Sequence, residues 1–366
     1  MPERGAVPTV PPAGLRALRL LRSFTSPLRP DDYLELINPL WSTRELRGRI
    51  ERVEHHAAKA VSIVIKPGWE WPGHLPGQYV RLGVQVDGVH HWRAYSLTSD
   101  PARADGCIAI TPKLVPDGKV SPFLYERARP GMIVRLGGVE GSFVLPDPRP
   151  RRLLFISAGS GITPIMSMLR SLASSGGLSD AVHLHSERTE QSVIFAAELR
   201  SLAHLHPGYR LSRRITGREA RLCPVALAEL CPDWRERDTF LCGPTGLLRA
   251  MRSHWQQVGE PQRLHTEHFQ PDEQLSCGAH GAGGSVLFCK SGVQAHSDGT
   301  QPMLMAGEQA GASLAHGCRM GICHSCIGTL RAGRVRDLRT GRVHGQPGEV
   351  VRICINAPEG PVEIDL

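Results

Sequence analysis

No stretch of the 366-residue chain approaches the roughly 18 consecutive apolar residues of a membrane span. A spanning segment is therefore not expected. The N-terminus also lacks the shape of a secretory signal, because Leu15-Arg-Ala-Leu-Arg-Leu-Leu-Arg22 is broken by arginine at every third position. No tract interleaves aromatic with basic residues, which argues against a nucleic-acid surface. No internal repeat is visible, so a stacked-repeat architecture is not expected. With no secretory feature, the ten cysteines read as thiols of a reducing cytoplasm rather than as a disulfide framework.

What is present is ordinary for a globular protein: 41% hydrophobic and 21% charged residues. The length implies two or three domains. Glycine (39) and proline (29) are abundant, which fits a loop-rich chain with β content. The net charge of +8 is carried almost wholly by arginine and suits an acidic partner: an anionic membrane surface, a dinucleotide phosphate or an acidic redox protein. The basic 15–22 segment reads either as a short amphipathic helix lying on a membrane or partner, or as a helix packed on the protein itself.

The most specific motif lies near the end. Cys318-Arg-Met-Gly-Ile-Cys323-His-Ser-Cys326 has C-x4-C-x2-C spacing, and Cys354 follows after 27 intervening residues. A triplet of thiols on one loop plus a distant fourth is the plant-type arrangement for a 2Fe–2S cluster. Soft sulfur donors suit bridged irons. The alternative, a zinc knuckle, usually shows two short Cys/His pairs instead. The remaining cysteines are scattered and read mostly as small apolar fillers.

Along the chain, residues 1–45 form a Pro-rich extension. From Leu46 to 150, short runs with period-two alternation (Val61, Ile63, Ile65; Gln78–Val86; Trp92–Leu97; Cys107–Thr111) are separated by turn signals such as Asp87-Gly88 and Asp105-Gly106. A helical stretch is expected near Pro122–Arg129. This pattern predicts an antiparallel β-barrel. Residues 151–269 change rhythm. Leu153–Ala158 is a continuous apolar strand of the buried parallel kind. Strands at Val182–His185, Tyr209–Ile215 and Thr239–Cys242 then alternate with helices, predicting a doubly wound α/β domain. Residues 270–283 read as a flexible linker, and 284–366 as a third compact unit.

Strand 153–158 ends in Gly159-Ser160-Gly161-Ile-Thr163-Pro164, which opens a helix. Glycines let the backbone approach a pyrophosphate, and a helix N-terminus favours its charge. The motif is GxGxxP rather than GxGxxG, and a tight structural turn is the plain alternative. Ser186 and Arg188 close the second strand, and Arg213 sits on the third. Strand ends on the carboxyl side line the ligand crevice. Arginines there could hold a 2′-phosphate, favouring NADPH over NADH, or be ordinary surface arginines.

These motifs, taken in order, resemble the ferredoxin–NADP reductase family. Arg93-Ala94-Tyr95-Ser96 resembles its flavin signature, Gly118-Lys119-Val120-Ser121 its second flavin-phosphate segment, and Gly159–Pro164 with Cys242-Gly243-Pro244 its nicotinamide-nucleotide segments. Pro76-Gly77-Gln78-Tyr79 lies upstream as in relatives. The C-terminal unit resembles plant-type ferredoxins, implying a β-grasp fold.

The resemblance implies roles. Arg93 would pair with the flavin pyrophosphate, Tyr95 would stack on the flavin ring, and Ser96 would hydrogen-bond near its N5. Gly118–Val120 and Ser121 would bind the pyrophosphate. Read without the family, Tyr95 is a half-buried strand aromatic and Ser121 a helix cap. Cys242 would lie near the nicotinamide ring, packing and orienting it. Glu267-His268-Phe269 matches the family's Glu-x-aromatic segment, with Phe269 beside the flavin and Glu267 in the catalytic set with Ser96 and Cys242. Cofactors would be FAD (FMN in some relatives), NADPH or NADH, and a 2Fe–2S cluster on Cys318, Cys323, Cys326 and Cys354. Residues 34–46 with the cluster run resemble bacterial reductases supplying fatty-acid or acyl-CoA desaturases. The expected acceptor is therefore a membrane desaturase, with a Rieske-type or other oxygenase as the alternative. A cytoplasmic protein is expected, peripheral at the inner membrane face if the N-terminal extension binds lipid. A non-enzymatic iron–sulfur redox sensor or carrier is the remaining reading.

Overall fold

The computed structural model describes residues 35, 37–42, 44–269, 281–316, 319, 321 and 324–366. Most of the N-terminal extension and of the 270–283 linker, together with Cys318 and Cys323, lies outside the described residues. Apart from the triplet Trp92–Ala94, one compact unit runs to Glu267 and a second from His268. No described helix is long and apolar enough to cross a membrane.

The first unit begins with six antiparallel strands: β1 (Arg47–His56), β2 (Ala60–Pro67), β3 (Tyr79–Val86), β4 (Val89–Ser96), β5 (Ile108–Ile110) and β6 (Ile133–Glu140). Their order is β4-β3-β6-β1-β2-β5. The two edge strands meet: Leu97, just past β4, bridges Ile110 of β5, and the Thr98 N–H donates to the Ala109 carbonyl at 2.7 Å. That contact removes the free edges and closes a barrel. Alternation along the strands turns Ile63, Ile65, Val80, Leu82, Val84, Val134 and Leu136 inward, and the core is capped by Val120 and Leu124 of helix α1 (Val120–Arg127). The helix starts two residues earlier than the sequence suggests, because Pro122 sits within the first turn, where a missing N–H costs no intrahelical bond.

The second half of this unit is a parallel sheet of β7 (Leu153–Ala158), β8 (Ala181–Glu187), β9 (Tyr209–Ile215), β10 (Asp238–Cys242) and β11 (Leu264–Glu267), ordered β11-β10-β7-β8-β9. Helices α2 (Ile162–Ser174), α3 (Ala196–Leu205), α4 (Pro224–Leu230) and α5 (Thr245–Val258) connect the strands. On one face Leu154, Ile156, Val182, Leu184 and Leu241 pack with Leu227, Leu248, Met251 and Trp255. Strand order reverses between β7 and β10, the position where open α/β sheets bind ligands.

Side-chain bonds tie the two halves of this unit together. From α2, Ser167 donates to the Ser99 carbonyl at 2.7 Å and Arg170 to the Thr98 carbonyl at 2.5 Å, while Arg170 grips Glu198 of α3 bidentately at 2.7 and 2.6 Å.

In the second unit, a five-stranded sheet has the order β13-β12-β19-β14-β17: β12 (Gly284–Phe288), β13 (Val293–Ser297), β14 (Ile327–Ala332), β17 (Val350–Arg352) and β19 (Val362–Asp365). A smaller sheet joins β15 (Val335–Asp337), β16 (Val343–His344) and β18 (Asn356–Pro358). Helix α6 (Met303–Gln309) packs its Met303, Leu304 and Ala306 into a core with Val286, Phe288, Leu330, Val351, Ile353 and Ile364.

Candidate functional site

Strand β4 carries Arg93 to Ser96 at the closing edge of the barrel. Ser96 is buried, and its hydroxyl has no hydrogen-bond partner among the described residues. A buried hydroxyl left unpartnered costs free energy, so the position fits one that meets a bound group. Arg93 and Tyr95 are only partly buried, and Arg93 Nη1 donates to the Trp92 carbonyl at 2.8 Å. Ser121 does not cap its helix. Its Oγ accepts from the Val115 N–H at 3.1 Å, closing the turn that holds Gly118, and neither it nor Lys119 supplies a side-chain cap. The helix-cap alternative for Ser121 is therefore set aside.

The two nucleotide segments meet. A Cβ on Gly161 would stand 2.2 Å from the Cys242 carbonyl oxygen and 2.9 Å from the Gly243 nitrogen. Only glycine lets the turn after β7 pack on the turn after β10. Thr163 Oγ1 donates to the Ser160 carbonyl at 2.9 Å, which ties the turn to the start of α2, and Pro164 lies in that helix's first turn. Gly243 and Pro244 lead into α5.

Register places a row of polar side chains across the carboxyl edge of the sheet. Glu267 pairs with Cys242, Cys242 with Ser157, Ser157 with His185, and His185 with Arg213. The row is largely uncharged. Burial pushes the Glu267 carboxyl up to about 8, and its Oε2 has no hydrogen-bond partner among the described residues. The residue as a whole is partly exposed; the carboxyl oxygen is the buried part. Cys242 is fully buried, and burial with the neighbouring Glu267 holds its thiol well above the usual range. A thiol so held is not a nucleophile. Ser157 Oγ lies 2.8 Å from His183 Nε2 and 2.7 Å from His185 Nδ1, and His183 Nδ1 lies 2.7 Å from the Tyr209 hydroxyl. Burial lowers both imidazoles, His185 to about 4. The sequence does not announce this network, because its members come from three strands.

Of the residues read as 2′-phosphate contacts, Ser186 is buried at the end of β8 and Arg188 is exposed just beyond it. Arg213 Nη1 is ion-paired with Glu190 at 2.8 Å. Its neighbour Arg214 carries two buried guanidinium nitrogens without hydrogen bonds among the described residues, and its ion pair with Glu219 is longer, at 3.5 Å. Arg214 is thus the stronger phosphate candidate on this strand. Phe269 follows Glu267 by two residues, half-buried, in the second unit.

In that second unit, Cys326 and Cys354 are both buried, and Ile353 N–H donates to the Cys326 carbonyl at 3.0 Å, so the two cysteines sit on adjoining backbone. Gly321 N–H points at Cys354 Sγ at 3.2 Å. Buried thiols beside an N–H donor fit an iron–sulfur cluster, whose sulfurs accept such bonds.

Fold and site define a flavin- and nicotinamide-dependent oxidoreductase with an iron–sulfur domain. Family models match in the same order: an oxidoreductase FAD-binding domain over residues 70–145, an oxidoreductase NAD-binding domain over 155–253 and a 2Fe–2S iron–sulfur cluster binding domain over 287–358. The chain belongs to the ferredoxin reductase family whose members carry a C-terminal 2Fe–2S domain. It is 47% identical over 357 residues to an NADPH oxidoreductase of Mycobacterium tuberculosis, covering 96% of this chain and 93% of that one. It is 30% identical to the glycine betaine monooxygenase reductase subunit of Pseudomonas aeruginosa, over 79% of this chain and 86% of that one. The solved phthalate dioxygenase reductase shares the fold at TM-score 0.58 and 20% identity, covering 88% of this chain and 98% of that one.

Proposed function

We propose that the protein draws electrons from NADPH and passes them through FAD and the 2Fe–2S cluster to an external, oxygen-activating metalloenzyme. The observation that carries this reading is the contact of Gly161 with Cys242-Gly243, which joins both nucleotide segments at the switch point beside an uncharged Cys242–Glu267 pair. When bound, the nicotinamide supplies a hydride, the flavin takes electrons in pairs and releases them singly, and the cluster carries one at a time.

The chain's own residues supply orientation and electrostatics. Ser96 offers its buried hydroxyl to the flavin. Arg93 and the Gly118–Ser121 turn take the pyrophosphate, and Tyr95 packs on the ring. Gly159, Ser160, Gly161, Thr163 and Pro164 with Gly243 and Pro244 hold the dinucleotide backbone. Arg214, with Ser186 and Arg188, takes the 2′-phosphate. Cys242 positions the nicotinamide as a neutral thiol, and Glu267 holds a proton beside it. Cys318, Cys323, Cys326 and Cys354 hold the cluster.

For the acceptor, the resemblance of residues 34–46 and the cluster run supports a fatty-acid or acyl-CoA desaturase. The names of relatives support an oxygenase instead: at 32% identity over 72% of this chain and 76% of its own length, one is the reductase component of a 3-ketosteroid-9-alpha-monooxygenase of M. tuberculosis. Peripheral membrane contact would fall to the 1–45 extension, whose basic 15–22 segment lies outside the described residues.

The test is anaerobic purification, flavin and iron analysis, and titration with NADPH and NADH, followed by reconstitution with a membrane desaturase and with a Rieske oxygenase. Bleaching of both chromophores by NADPH and turnover of the desaturase would support the full reading. Absence of flavin, or survival of the iron chromophore in Cys354→Ser, would defeat the electron path. Turnover of the oxygenase alone would defeat the desaturase.

A further inference from the structure

We propose that Arg352 sets the reduction potential of the iron–sulfur centre. It is a positioning residue that acts through Gly321, and it also brings a positive charge to the cysteine loop. The inference rests on reading Cys354 as a cluster ligand.

Arg352 ends β17, opposite Ile327 in the ladder and so next to Cys326. Its Nη1 donates to the Gly321 carbonyl at 2.7 Å and lies 3.5 Å from His324 Nε2. Gly321 in turn directs its own N–H at Cys354 Sγ. One residue is therefore held at both ends, by the arginine on one side and by the sulfur on the other. Gly321 has φ +73°, and a Cβ there would come within 2.5 Å of Ile355 Cδ1. The position demands glycine, and glycine has no side chain to restrict its torsions. The Arg352 bond supplies that restriction.

Arg352 is itself anchored. Its carbonyl accepts from Asn356 Nδ2 at 3.0 Å and from the Ile355 N–H at 3.2 Å. Asn356 Oδ1 is 3.1 Å from His344 Nε2, and His344 Nδ1 is 2.7 Å from Glu349 Oε1. This chain ties the β16 hairpin to the backbone that carries Cys354.

Charge compensation separates the two arginines of the region. Arg319, inside the cysteine motif, is matched bidentately by Glu308 at 2.9 and 2.6 Å, so much of its field is cancelled locally. Arg352 ion-pairs with no carboxylate among the described residues. Reduction adds one electron and no proton to the centre. A nearby cation and an aligned N–H donor both favour the more negative state, and hydrogen bonds to the sulfurs are among the levers that set such potentials.

The test is a redox titration of the full-length holoprotein, followed by the EPR signal of the reduced cluster, for the parent and for Arg352→Met, Arg352→Gln and Arg352→Lys. The Met variant should lower the reduction equilibrium at least about tenfold, equivalent to a shift of about 59 mV for a one-electron couple. The Gln variant, which can still donate to the Gly321 carbonyl, should fall between Met and parent. The Lys variant, keeping the charge, should stay within about threefold of the parent. An iron-loaded Gln variant at the parent potential, or a Lys variant displaced as far as a variant lacking the charge, would overturn the inference. Iron analysis of the parent keeps the two questions apart: a parent without iron speaks against the cluster reading, and a loaded protein with an unmoved potential speaks against Arg352.

Discussion

Replacing Glu267 with Gln should make the protein more stable, and increasingly so as the pH rises. The carboxyl sits on edge strand β11 opposite Cys242, with its Oε2 buried and unpartnered among the described residues, and burial raises it from an ordinary 4.5 to about 8. In the unfolded chain the group loses its proton near 4.5, whereas in the folded chain it keeps it until about 8. Between those values the folded state binds more protons, so stability falls as pH rises and levels off above the folded value. Full linkage would cost about 4 kcal/mol between pH 5 and pH 9. The residue is partly exposed, and solvent screening reduces that to about 2 kcal/mol. The amide of Glu267→Gln fills the same space and cannot ionise. Thermal or urea melts of parent and variant, at matched cofactor loading, should diverge by about that amount from pH 5 to pH 9. A stability difference that stays flat across this range would show that Glu267 is an ordinary solvated carboxylate, and the picture of an uncharged pair with Cys242 would fall with it.

Ser96→Ala removes a buried hydroxyl that has no partner among the described residues, so folding of the cofactor-free chain should be unchanged or slightly improved, while flavin reduction by NADPH in stopped flow should slow about a hundredfold. An unchanged rate would remove Ser96 from the flavin site. Gly161→Ala forces a methyl into the Cys242 carbonyl, costing about 1–3 kcal/mol and weakening NADPH binding at least about tenfold by equilibrium titration. Normal affinity would mean the two turns need not touch. Arg237 is 2% exposed and bonds Asp233, Asp180 and the Leu153 carbonyl, so Arg237→Met should cost about 2–3 kcal/mol at pH 7. Its partner Asp233 is held at about 2, below an ordinary 3.8; the pair's stabilisation is full above 3.8 and fades as pH falls toward 2. Melts at pH 7 and pH 3 should therefore show a smaller penalty at the lower pH.

The parts legible in the sequence were those whose signal is local. Leu153–Ala158 is buried on both faces and reads as a continuous apolar strand; the cysteine spacing and the glycine turn are local as well. Strand β11 was not legible, because its four residues contain a single large apolar side chain at a sheet edge. The His183–Ser157–His185 network was hidden for another reason: polar residues in a strand read as exposed unless their partners on neighbouring strands are known. Arg213 and Arg214 are adjacent and chemically identical on paper. Their ion pairs separate them: Arg213 is held by Glu190 at 2.8 Å, Arg214 more loosely by Glu219 at 3.5 Å. Arg352 carries no motif at all, since its meaning comes from a carbonyl thirty-one residues earlier.

The bonds from helix α2 back to Thr98 and Ser99 decide where this protein can be cut and recombined. A chimera spliced in the loop between β6 and β7, the natural seam by chain order, would graft a foreign helix against those two carbonyls and discard Ser167 and Arg170. The exchangeable module therefore has a ragged border, and a nucleotide domain borrowed from a relative should seat properly only when that serine and arginine travel with it.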